Sequence, residues 1–165
     1  MRNTKMKIIT AASMVFNELG YSSPSIEKIA SASNVSKMTF YKYFPDKESL
    51  ITEVLNLRKI EFITDIRKTV TSEDSPRQQL KNIFDYYANW IAGPGFNECM
   101  FSRAATELGA NFPVIIAIND ALKTELVANI TDILKSILEP ELATEAITLS
   151  HGQINRHHIA KVMNR

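Results

Sequence analysis

Several things are scarce in this chain of 165 residues. There is one cysteine, Cys99, so no intramolecular disulfide framework and no cysteine-cluster zinc site can form. Five glycines, thinly spread, leave no glycine-rich loop to cradle a phosphate. No apolar run approaches the ~18 residues needed to cross a bilayer, and residues 1–7 lead into no signal-peptide pattern. No Gly-x-Ser-x-Gly or His-Glu-x-x-His occurs, so no catalytic constellation, cofactor motif or metal site is expected. Charge of one sign is also lacking: 19 basic against 18 acidic residues give a net +1. A cytoplasmic protein with a packed core is the expectation, since 45% of residues are apolar.

The charge that exists is uneven. Residues 1–50 hold seven basic and four acidic groups, and the remainder is net acidic. A basic head on a slightly acidic body suits a head that meets an anion, nucleic acid above all.

Helical spacing runs through the whole chain, and nothing alternates like a strand. Ile8, Ala11, Ala12, Val15, Phe16 and Leu19 make one amphipathic face, with Thr4 as its expected cap and Gly20 as its stop. Ser25 opens a second short helix with Ile26, Ile29 and Ala30, and Asn34 makes the sharp turn after it. Ser36 caps a third helix carrying Phe40 and Phe44, and Asp46 a fourth with Leu50, Ile51, Val54 and Leu55. Later helices are expected over 77–91, about 98–108 and 113–138.

The first three helices read as a helix-turn-helix. Ile8, Phe16, Ile26, Ile29, Ala30, Val35, Phe40 and Phe44 would be buried. The third helix would then show Ser36, Lys37, Met38, Thr39, Tyr41 and Lys42 to solvent. A major-groove reader needs this mixture: short polar groups for base edges, an apolar atom for a thymine methyl, flanking cations for phosphates. Ser25, Tyr43 and Lys47 are the expected phosphate contacts.

The stretch from Ile29 to Leu50, with Ala11-Ala12, Phe16 and Gly20-Tyr21 upstream, closely resembles the DNA-binding signature of TetR-type (tetracycline-repressor-like) transcriptional regulators. The resemblance implies an all-helical homodimer with a helix-turn-helix domain over 1–50 and a ligand-binding and dimerisation domain over 51–165. It implies a repressor that a small-molecule effector releases from a pseudo-palindromic operator in double-stranded DNA. Base-reading roles fall on Lys37, Thr39 and Tyr41, and backbone-anchoring roles on Tyr43, Lys47 and Ser25. The sequence departs from the pattern at Asn34 (usually glycine), at Met38 (usually a small residue) and at Ser33 (frequently alanine).

Aromatic density in the body marks Phe84, Tyr87, Trp90, Met100, Phe101 and Arg103 as candidate ligand contacts, although ordinary core packing predicts the same residues. Arg103 and Glu107, four apart, are expected to form a surface ion pair, and Cys99 to be a buried, inert thiol. His151, His157 and His158 sit among Arg156, Lys161 and Arg165 without helical ligand spacing, so a polar tail is expected there. Only one helix fits after Pro140, so the helix at 113–138 is expected to share in dimerisation; a truncated end would give the same pattern. Two alternatives stay open: a protein-interaction module that keeps the fold but has lost DNA binding, and, more remotely, a small helical enzyme.

Overall fold

The computed structural model describes residues 2–137, and the histidine-rich tail and the helix expected after Pro140 lie outside them. The described residues form seven helices and no strand: α1 (Arg2–Leu19), α2 (Ile26–Ala32), α3 (Lys37–Tyr41), α4 (Lys47–Thr69), α5 (Pro76–Ala92), α6 (Met100–Leu108) and α7 (Pro113–Lys135). The all-α expectation holds.

The boundaries follow local chemistry. Oxygens of Ser25, Ser36, Asp46 and Ser75 accept the backbone N–H three residues on, capping α2, α3, α4 and α5. Pro76 and Pro113 open α5 and α7, where a missing N–H is harmless. Gly20 and Asn34 both take positive φ, 80° and 54°, and turn the chain after α1 and between α2 and α3.

Four expectations need correction. Helix α1 starts at Arg2, so Thr4 lies inside it and caps nothing. Helix α3 ends at Tyr41; Phe44 follows in a turn, its N–H still donating to the Phe40 carbonyl. Helix α6 starts at Met100, with Cys99 at the cap position and Glu98 outside the helix. Helix α7 stops at Lys135, where the N–H and hydroxyl of Ser136 both donate to the Ile133 carbonyl in a tightened last turn.

In the head, α1 packs on α2 and α4, and α2 on α3, around Ile8, Ala12, Phe16, Ile29, Phe40 and Phe44. Ile26 and Val35 are only half-buried at its margin. The body is α4 to α7, with α7 against α4, α5 and α6. Helix α4 belongs to both: Leu50, Ile51, Val54 and Leu55 seal the head, and Ile63 and Ile66 enter the body core.

Candidate nucleic-acid interface

The third helix is held with one face inward. Phe40 is fully buried, tilted against Phe44 with ring centroids 5.8 Å apart. Buried Ser33 fixes the preceding turn, since its hydroxyl donates to the carbonyls of Ile29 and Ala30 and so finds partners a side chain of alanine could not. With the phenylalanines inside, α3 presents its other residues outward. Met38 is 74% exposed and Tyr41 45% exposed. Ser36, Lys37 and Lys42 are exposed as well. Thr39 is half-buried, with its hydroxyl 2.9 Å from that of Ser36.

Beside this helix lies an open cleft of about 520 Å³ between α2 and α3, lined by Glu27, Ser31, Asn34, Ser36 and Lys37 among others. Glu27, which the sequence reading passed over, accepts a hydrogen bond from the Lys37 ammonium. That bond holds the Glu27 carboxyl below the usual carboxylate range and raises Lys37 in turn. Ser25 is exposed at the start of α2, and Tyr43 is half-buried below α3.

Lys47 is less free than expected. Its ammonium donates to the Ser22 carbonyl at 2.9 Å, and burial lowers its pKa. An ammonium has three donors, so two remain for a phosphate.

Behind the interface, α6 is fastened to the head. One Glu107 oxygen accepts the N–H of Tyr21 at 2.8 Å and of Ser22 at 2.9 Å. The other accepts from Arg103 Nε at 2.8 Å, and Arg103 also donates to the Asn17 carbonyl. Arg103 and Glu107 are each only 24% exposed, so the expected surface ion pair is instead a junction between body and head. Burial alone would push the Glu107 carboxyl up; the N–H of Ser22, the Arg103 guanidinium and the N–H of Tyr21 together hold it below its ordinary range. Gly20 makes room: a Cβ there would lie 2.5 Å from Glu107 Oε1 and 2.7 Å from Arg103 Nη2. Asn17 and Asn97 extend the same seam, Asn17 donating to the Gly95 carbonyl and Asn97 to that of Asn17.

The candidate ligand contacts are not one group. Tyr87 and Trp90 belong to an aromatic stack centred on Phe62, which lies 5.4 Å and 5.1 Å from them, with Phe96 4.7 Å from Trp90. Burial pushes the Tyr87 hydroxyl far up. Met100 and Phe101 are buried in the common core, Phe84 is half-buried outside the stack, and Arg103 serves the junction. Cys99 is half-buried rather than buried. A separate cleft of about 350 Å³, missed by the sequence reading, opens between α4, α5 and α7 over Ile66, Val70, Ile83 and Ile133.

Residues 8–54 match the family described as bacterial regulatory proteins, tetR family. Over residues 8–54 the chain carries the N-terminal region of the TetR family. An uncharacterised HTH-type transcriptional regulator of Bacillus subtilis, YuxN, is 39% identical over 77 residues, 47% of this chain and 26% of that protein. The HTH-type transcriptional repressor DhaR of a Mycobacterium species is 27% identical over 124 residues, 74% of this chain and 57% of its own. The chain thus spans between a quarter and just over half of these relatives. The TetR-like fold extends into the body. SCO4454, a TetR-family regulator of Streptomyces coelicolor, superposes with a TM-score of 0.75 at 19% identity, over 91% of this chain and 93% of that one. Among the described residues no helix is long and apolar enough to cross a membrane, and no cluster of three or more histidine, cysteine or acidic residues is placed to hold a metal.

Proposed function

We propose that this protein is a sequence-specific transcriptional regulator: a cytoplasmic homodimer that binds a pseudo-palindromic operator and is released by a small-molecule effector. The observation that carries the reading is the outward polar face of α3, with Phe40 and Phe44 turned inward. Lys37, Thr39 and Tyr41 read base edges, Met38 meets an apolar base atom, and Ser25, Ser36, Tyr43 and Lys47 engage the backbone. The description of the Mycobacterium relative as a repressor supports that sign.

In a dimer, two such helices must lie about 34–36 Å apart, or a multiple of that, to enter successive major grooves. Two connections carry a change in the body to the head: the continuous helix α4, and the junction of α6 with the end of α1. An effector that binds the wrongly spaced form more tightly by about 1–3 kcal/mol shifts operator occupancy roughly 5–150-fold. Among the described residues, the aromatic stack around Phe62 and the cleft over Ile66 are two places in the body for it to act.

The test is an anisotropy titration against an operator selected from random duplexes and against a scrambled control. Thr39→Ala and Tyr41→Ala should each reduce discrimination, since a good base contact is worth about 1–3 kcal/mol. Unchanged discrimination in both variants refutes the assignment of α3.

A further inference from the structure

A carboxylate stands in the middle of the proposed DNA face. Glu27 lies two residues after the capping Ser25, and its oxygen accepts from the ammonium of Lys37, the first residue of α3. The two side chains are 59% and 53% exposed, so the pair lies on the surface, beside the cleft that both residues line. The Ser25 hydroxyl also favours this carboxylate in its charged form. One acidic group therefore pairs directly with a residue proposed to read DNA, two positions from another proposed to anchor it. Exposed ion pairs add little to folding stability, so stability is a poor reason for this one. For general DNA affinity its sign is adverse. A carboxylate repels phosphate, and a lysine already neutralised displaces no counterion from the duplex.

We propose that Glu27 is a specificity-determining positioning residue: by holding the Lys37 ammonium it keeps that cation off the phosphate backbone and presents it to a base edge in the major groove. One lysine donor on Glu27 leaves two for a pair of acceptors, and N7 and O6 of guanine are such a pair. On a duplex without that pair the two remaining Lys37 donors meet no acceptor and the complex is weaker. The inference rests on the DNA-binding reading above.

The experiment uses the full chain, as wild type, Glu27→Gln and Glu27→Asp, over roughly 50–200 mM salt. Each is titrated with a duplex selected by the wild type and with a scrambled one. Glu27→Gln should bind the scrambled duplex more tightly, with a log–log salt slope steeper by about 0.9, because Lys37 is freed to neutralise a phosphate. Its preference for the selected duplex should fall about 5- to 150-fold, the range for one lost base contact. Glu27→Asp, which keeps the charge, should behave as wild type. A pair that only braces α2 against α3 would instead weaken Glu27→Gln on both duplexes equally with no change in slope, and that result overturns the proposal. So does a Glu27→Gln protein indistinguishable from wild type. Wild type that binds no duplex is a different failure: it sinks the DNA-binding reading, and the role of Glu27 falls with it.

Discussion

Truncating Glu107 tests whether body and head are mechanically joined. Glu107→Ala removes the acceptor for two backbone N–H groups of the α1–α2 turn and the partner of Arg103. Hydrogen bonds to a charged group contribute about 1.5–3 kcal/mol each, but water can replace part of the one at Ser22, which is exposed. A total loss of about 2–4 kcal/mol follows. For a chain of this size that lowers the melting temperature by about 4–16 °C. Glu107→Gln keeps an acceptor oxygen and should lose about half as much. The difference between wild type and Glu107→Ala should also depend on acidity in a defined direction. The Glu107 carboxyl titrates below its ordinary range in the folded state, so its contribution is present above the ordinary carboxylate value and fades as pH falls through the folded one. Melting followed by circular dichroism at neutral pH and at about pH 3 to 4 measures both effects. Operator affinity, followed in parallel, should become less responsive to effector, since one of the proposed connections is weakened to the bonds at Asn17. A Glu107→Ala protein within 0.5 kcal/mol of wild type, with its effector response intact, would refute the junction.

Three further outcomes can be checked. Gly20→Ala should cost about 2–3 kcal/mol in urea melts, part from positive φ and part from a Cβ driven into Glu107 and Arg103; in a Glu107→Ala background, with Arg103 released from its carboxylate partner and able to move aside, the cost should fall toward the backbone part of about 1–2 kcal/mol, and equal costs in both backgrounds would show that the carboxylate does not crowd this site. Lys47→Ala should weaken binding to every duplex and flatten the salt slope by about 0.9, and an unchanged slope would remove Lys47 from the phosphate contacts. Trp90, the single tryptophan, lies 5.1 Å from Phe62 and 4.7 Å from Phe96, so an effector acting through that stack should change its emission over the same concentration range that releases DNA; release with constant emission would favour the cleft over Ile66 instead.

What the sequence showed of this protein was local in origin. Ser25, Ser36 and Asp46 cap the helices they were expected to cap, and Gly20 and Asn34 make the turns that positive φ allows, because each signal acts within a few residues. The inward set of the head followed from helical period. What stayed hidden depends on partners distant in the chain. Glu107 meets Tyr21 across 86 positions, and nothing within its own helix distinguishes it from an ordinary i,i+4 partner of Arg103. Glu27 was not singled out in the sequence, because Lys37, ten positions on, comes beside it only through the turn at Asn34. Aromatic composition likewise located a cluster but not its centre, Phe62, which comes from α4 rather than from the dense stretch. Lys47 was placed on the correct helix end, but its second engagement, with Ser22, comes from the folded loop.

The 23 residues of α4 run without a break from Lys47 to Thr69, a rod of about 35 Å. A rotation of roughly 5° about its far end sweeps the near end through about 3 Å. That is comparable to the rise of one base pair, about 3.4 Å. On the proposed reading, such gearing would let a movement too small to alter the packing around Ile66 put α3 out of phase with a groove, so an effector bound in the body would need no large rearrangement to release the DNA.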